Sequence, residues 1–197
     1  MIIERFVMSI LVNYGPMTEI QMQPDEVEYI TGCIKNMPSD GLMVEWGSGG
    51  SSVKWLETMT NDQKLVSIEH NPKWHMNVSE YVNTRPELNA RFTYMFKPEL
   101  YGYEHGYAQI AEEHPFGLDD YMWPSHPRVK LSEADIYLVD GIARATTSLL
   151  VKMLSSKEDP VIFIHDYYGG RENWYGWASK RFHRVEKVGH TLARLYK

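Results

Sequence analysis

Hydrophobic and polar positions divide the chain into two alternating kinds of segment. Four short apolar runs rich in Val, Ile, Leu and Tyr occupy Leu42–Trp46, Lys64–Glu69, residues 135–140 and residues 161–166. Each is closed by Gly, Asp, Asn or Pro, the pattern of a buried strand, and residues 91–96 repeat it more faintly. Residues 52–59 and 74–83 carry apolar side chains at three- and four-residue steps, which predicts helices between and after the first two strands. Residues 24–36 read as an amphipathic helix opened near Pro24 and Asp25, with Val27, Ile30, Cys33 and Ile34 on one face. Strand and helix in alternation predict an α/β fold, a mostly parallel central sheet with helices on both faces.

Residues 97–130 interrupt this rhythm. They hold Tyr101, Tyr103, Tyr107, Tyr121 and Trp123 with several His, Pro and Asp residues and little periodicity. Such an insert over the ends of parallel strands supplies a lid or substrate wall, so acceptor specificity is expected there. Neither a repeat nor a low-complexity linker appears, and 197 residues match one domain spanning 1–197.

Composition narrows the possibilities. Lys plus Arg is 20 and Asp plus Glu is 26, a net charge of -6, which disfavours a protein that grips nucleic-acid phosphates. A chain of this size buries roughly 70% of its unfolded surface and needs no disulfide or structural metal. Its lone Cys33 permits no internal bridge, as expected in a reducing compartment such as the cytoplasm. The apolar run at residues 6–12 lacks a small-residue cleavage site and reads as core. No stretch reaches 18 consecutive apolar residues, so no membrane helix is expected.

The densest chemical signal is Val44-Glu45-Trp46-Gly47-Ser48-Gly49-Gly50-Ser51-Ser52, a strand entering a glycine-rich turn and then a helix. Glycine allows a tight turn and a close ligand, and the helix start offers free amides and a positive dipole end to a carboxylate or phosphate. A purely structural strand-to-helix turn is the competing reading. Glu69 ends the next strand 22 residues after Gly47, the spacing at which nucleotide-binding sheets hold ribose hydroxyls. Glu45, just before the turn, would repel a pyrophosphate but suit a sulfonium and an ammonium group, which disfavours a dinucleotide oxidoreductase.

The order Val-Glu-Trp-Gly-Ser-Gly-Gly, Ser-Ile-Glu-His-Asn, Ile-Tyr-Leu-Val-Asp-Gly and Phe-Ile-His-Asp-Tyr resembles the class I methyltransferases that use S-adenosylmethionine (SAM), over roughly residues 40–195. The resemblance implies a Rossmann-like class I methyltransferase fold. It places Gly47, Gly49 and Ser51, with Ser48 and Ser52 in the same turn, around the methionine part of SAM. Glu69 would then bind the ribose, with His70 and Asn71 beside the adenosine. The turn departs from the commonest spacing, because Ser48 precedes a Gly49-Gly50 pair and Ser51 stands where a third glycine is frequent.

Asp140-Gly141 and His165-Asp166-Tyr167 end two strands expected to be neighbours, so their oxygen and nitrogen ligands can converge at the carboxyl edge of the sheet. Asp140, His165 and Asp166 suit a hard or borderline ion such as Mg2+ or Mn2+, or, without metal, supply a general base. This part resembles the metal-dependent sugar O-methyltransferases of the macrocin type and, more loosely, the plant polysaccharide O-methyltransferases. Those enzymes carry Asp-Gly-Asp and Asp-Asp-Tyr at these places, with metal ligands and a base among them. Asp140 and Asp166 carry over, His165 replaces one acid, and Ile142 stands where another acid is expected. His165 is the first choice as base, because an imidazole titrates near neutral pH. Arg144 and Arg171 follow the two acidic strand ends and either bind an anionic substrate group or neutralise the acids.

Six Trp and 13 Tyr complete the picture, with Tyr101, Trp123 and Tyr167 the aromatic residues assigned to the acceptor. Aromatic faces pack on the apolar faces of sugar rings, so a glycan or another small-molecule hydroxyl is expected, although the same residues could form a homo-oligomer interface. SAM-dependent O-methyl transfer is the leading expectation. A metal-dependent hydrolase built on the His-Asp cluster and a non-catalytic SAM-binding interaction protein are the alternatives.

Overall fold

In the computed structural model, which describes residues 19–98 and 117–197, alternation along the strands sorts side chains onto two faces of one sheet. The strands are β1 (Leu42–Trp46), β2 (Lys64–Glu69), β3 (Phe92–Phe96), β4 (Ile136–Val139), β5 (Val161–Ile164), β6 (Arg184–Val188) and β7 (Leu192–Tyr196). Their order is β3-β2-β1-β4-β5-β7-β6. The first five are parallel, and β7 runs antiparallel to both β5 and β6. The expected mixed α/β fold with a mostly parallel sheet is the fold observed.

Val44, Trp46, Val66, Ile68, Tyr137, Val139, Ile162 and Ile164 face one core, completed by α5 (Gly117–Met122), α6 (Arg144–Leu154) and α7 (Glu172–Ser179). Met43, Leu65, Ile136, Leu138 and Phe163 face the other, beneath α1 (Pro24–Lys35), α2 (Gly50–Thr58) and α3 (Pro72–Asn83). A short α4 (Pro86–Asn89) leads into β3. The helix starts follow their chemistry. Pro24 and Pro72 stand in the first turn of α1 and α3, where a missing N–H is harmless, and Asn71 Oδ1 caps α3 by accepting from Lys73 N and Trp74 N. Buried Arg91 closes the far end of α2 by donating to the carbonyls of Leu56, Met59 and Thr60.

The predicted strands and helices agree with these to within two residues, β4 and β5 ending earlier than the apolar runs because their last residues turn into the site. Helices α6 and α7 and the antiparallel pair β6–β7 are additional. The residue 6–12 run and Tyr101, Tyr103 and Tyr107 of the insert lie outside the described residues. No helix among the described residues is long and apolar enough to cross a membrane.

One buried carboxylate ties α1 to the start of β7. Glu26 of α1 is fully buried and accepts from Thr191 N and Oγ1 and from Leu192 N at the start of β7, as well as from Gln23 N. Burial alone would raise its pKa, but these donors outweigh burial and hold it below the ordinary glutamate value. Gly189, in the β6–β7 turn with φ +62°, has no room for a side chain, since a Cβ would fall 2.6 Å from Glu26 Cγ. Replacing Glu26→Ala leaves buried amides unpaired. The expected cost is about 2–4 kcal/mol, read as a lower urea midpoint at unchanged slope.

Candidate active site

The strand order reverses between β1 and β4, and a crevice opens over the carboxyl ends of the strands at such a point. A cavity of about 960 Å³ lies there. One wall is the turn Gly47–Ser51 with Glu69, His70, Asn71 and Trp74; the other is the segment 140–146 with Arg171, Trp174, Tyr175 and Trp177. The two walls meet at backbone contact. Gly47 has φ +89°, and a Cβ on it would sit 2.8 Å from Gly141 N, while a Cβ on Gly141 would overlap the hydroxyl of Tyr121. Both glycines are therefore required by space, and Gly47 by conformation as well.

On the first wall, Gly50 and Ser51 open α2 and border the cavity, where first-turn amides lack helical partners. Glu69 is buried beneath the turn. Its Oε2 accepts from Ser48 N at 2.7 Å and Ser48 Oγ at 2.9 Å, and its Oε1 from His70 N at 2.8 Å and Asn71 N at 2.6 Å. The carboxylate thus holds the glycine turn against the end of β2, and hydroxyls of a ligand would compete with Ser48 for it. Gly47, Ser48, Gly49, Ser51, Glu69, His70 and Asn71 all border the cavity.

Two residues of that set do not. Ser52 is fully buried and its Oγ accepts from Gly49 N at 3.1 Å, which stiffens the turn rather than meeting a ligand. Glu45 alternates to the opposite face from Trp46 and lies sealed under α2 beside Ser52 and Ser67. Burial, chiefly, pushes its pKa up to about 8, so it is mostly neutral at pH 7 and is no ionised partner for a sulfonium or ammonium group.

On the second wall, Asp140, His165, Asp166, Arg144 and Arg171 form one charged cluster. His165 Nδ1 donates to Asp140 Oδ1 at 2.7 Å, and its Nε2 lies 3.6 Å from Glu26 Oε2 and 3.9 Å from Asp166 Oδ1. Burial would lower the pKa of His165, but the Asp140 hydrogen bond and the charges of Asp140 and Asp166 prevail and raise it. His165 is buried, does not border the cavity and has carboxylates at both ring nitrogens, so it orients Asp140 instead of serving as the free base expected from sequence. Asp140 is the acid that borders the cavity.

Arg144 Nη1 lies 3.3 Å from Asp140 Oδ1 and donates to Asp166 Oδ2 at 3.1 Å, and Arg171 Nη1 donates to the same Asp166 oxygen at 3.2 Å. Both arginines contact the acids and also border the cavity, so both roles that the sequence left open stand. Asp166 has its pKa held low: burial would raise it, but His165, Arg144 and Arg171 outweigh burial. Ligand atoms of Asp140, His165 and Asp166 fall within 4.8 Å of one another, close enough to share an ion. The guanidinium of Arg144 already bridges the two carboxylates, so as they stand these residues do not fit a divalent ion.

The aromatic assignments change as well. Tyr167 is core, its hydroxyl 2.7 Å from Ser179 Oγ and its ring against Tyr168 and Tyr175. Trp123 stacks on Trp46 with ring centroids 6.3 Å apart and does not border the cavity. Trp174 and Trp177 do border the cavity, 67% and 54% exposed. Their signal in the sequence is the three-residue step in Arg171-Glu172-Asn173-Trp174-Tyr175-Gly176-Trp177, which sets Arg171, Trp174 and Trp177 along one side of a helix.

No protein-family model matches the chain, and no curated protein matches its sequence. Solved structures do match in fold. An O-methyltransferase from Bacillus cereus in complex with S-adenosylhomocysteine (SAH) superposes with TM-score 0.61 at 13% identity, over 100% of this chain and 97% of that one. The O-methyltransferase TomG from Streptomyces achromogenes, involved in tomaymycin synthesis and in complex with SAM, gives 0.59 at 13%, over 99% and 96%. A precorrin-6y C5,15-methyltransferase from Geobacter metallireducens gives 0.55 at 15%, over 90% and 88%. The chain has the Rossmann-like fold of class I methyltransferases.

Burial of Glu45 makes a pH prediction. Its folded pKa lies above its ordinary 4.5, so its contribution to stability is full below that value and is lost as pH rises through about 8. Over that window Glu45→Gln should remove a slope approaching about 1.4 kcal/mol per pH unit, checked by urea unfolding across the range.

Proposed function

We propose that the protein is a SAM-dependent O-methyltransferase whose acceptor is a hydroxyl of a small neutral molecule, a sugar or glycan by preference. The observation that carries this reading is the cavity itself: a glycine turn, a helix start and Glu69 on one wall face Asp140 on the other across the strand-order reversal. The volume suits a cofactor and a small acceptor together. The fold shared with enzymes solved with SAM or SAH supports it.

In this reading the amides of Gly50 and Ser51 receive the carboxylate of SAM's methionine part, Glu69 takes the ribose hydroxyls in exchange for Ser48, and His70 and Asn71 flank the base. SAM supplies a methyl group on a sulfonium, which leaves as the neutral thioether. Asp140 accepts the proton that the acceptor oxygen loses as the new C–O bond forms, and His165 and Arg144 keep Asp140 in place. Trp174 and Trp177 offer flat apolar faces to a ring-shaped acceptor. The hydrolase alternative loses its basis where Arg144 joins the two acids.

Calorimetric titration with SAH tests the cofactor half without knowledge of the acceptor. One-site micromolar binding is expected, and absence of heat together with absence of competition by SAM would leave the turn merely structural. Asp140→Asn should lower turnover at least about 100-fold while SAH affinity stays within about twofold. A wild-type rate removes Asp140 from the chemistry. Trp174→Ala should raise KM for the acceptor about tenfold with kcat little changed, and an unchanged KM in steady-state assays takes the indole out of the acceptor site.

A further inference from the structure

Arg144 is the first residue of α6, where the helix dipole disfavours a cation. Its placement there is held by the acids and carbonyls of two strand ends. Nε donates to Gly141 O at 2.8 Å, and Nη1 donates to His165 O at 2.6 Å as well as to Asp166. Ala143, immediately before it, adopts a left-handed conformation with φ 52°, and Asp166 does the same with φ 53°. The turns after β4 and β5 are thus both bent around this guanidinium, whose side chain is only 14% exposed.

Cations already occupy the cluster. Arg144 lies against both Asp140 and Asp166, and Arg171 against Asp166. A divalent ion would add two positive charges beside a guanidinium that already engages both carboxylates. The residue where the sugar O-methyltransferases carry a further acid is Ile142, packed into the core. Remove the Arg144 side chain, and Asp140, His165 and Asp166 remain as three donors with the mutual spacing of ligands to one ion.

We propose that Arg144 is the resident cation of the site, standing where a divalent ion would otherwise be held, so that methyl transfer here runs without metal. This rests on the methyltransferase reading above. The guanidinium holds Asp140 and Asp166 apart at a fixed distance and keeps the charge of Asp140 compensated at the cavity wall, the positional and electrostatic service an ion would give.

The test is uptake of Mn2+, followed by the loss of the free-ion electron paramagnetic resonance signal, for the wild-type chain and Arg144→Ala, with no SAM present. The wild type should leave the signal unchanged. Arg144→Ala should take up one Mn2+ per chain at least about tenfold more tightly, and Asp166→Asn in the same background should abolish that uptake. Should Arg144→Ala fail to fold by circular dichroism, Arg144→Met, which keeps the side-chain bulk, serves instead. Tight uptake by the wild type overturns the proposal, and so does a folded variant that gains none. SAH calorimetry on the wild type is the separate arm: no SAH binding with the expected Mn2+ result sinks the methyltransferase reading and leaves the cation assignment standing.

Discussion

The site depends on one steric constraint, the backbone contact between the turn after β1 and the turn after β4. A side chain on Gly47 would meet the backbone of Gly141, and one on Gly141 would meet the hydroxyl of Tyr121, so neither has space for a single carbon atom. That contact closes the floor of the crevice where the strand order reverses and leaves the two walls facing each other at a fixed separation. Side chains then divide the labour by wall. Glu69 anchors the glycine turn through Ser48, and Asp140, one residue before Gly141, is turned toward the cavity. A larger residue at either glycine would separate the walls and dismantle both halves at once.

Behind the second wall, a run of contacting ionisable side chains leads from the cavity to α1 and the start of β7. Glu26 on α1 grips the start of β7 and lies beside His165, which grips Asp140, which is bridged by Arg144 to Asp166. A buried charge persists when hydrogen bonds satisfy it, as the backbone and hydroxyl donors around Glu26 do. Glu45 shows the other solution. Sealed in without a cation, its carboxyl group is pushed toward the neutral form. The same element, one residue apart, therefore gives Trp46 to one core and an uncharged acid to the other.

Legibility in the sequence followed the range of the interactions. The parallel strands, the glycine turn and the acid at the end of β2 are local patterns, and the structure places them together as expected. β6 escaped because Arg184, Glu186 and Lys187 make an edge strand that reads as polar, and α6 because its first residue, Arg144, and Thr146–Thr147 carry no helix signature. Glu45 and Ser52 were misread since alternation along β1 and the turn of α2, not distance from Gly47, decides which side chains see the cavity. The tie from Glu26 to β7 gave no signal: Thr191, which it grips, lies 165 residues away. The role of His165 was likewise decided by Glu26 and Arg144, both of which come from other elements.

The fold alone does not choose the acceptor, because structures that share it include O-methyltransferases and a precorrin C5,15-methyltransferase. The chain's own cavity narrows the choice. On the wall near Asp140 the two acids are already engaged by Arg144, which agrees with the proposed neutral acceptor. What the cavity offers are two exposed indoles and one carboxylate. An acceptor with an apolar ring face and a hydroxyl rim uses both, and a flat sugar face on Trp174 or Trp177 would turn its rim hydroxyls toward Asp140. On the proposed reading, Arg144 and α7 serve one end: the guanidinium answers the acids at the wall, and the indoles of Trp174 and Trp177 offer an apolar face to a neutral ring.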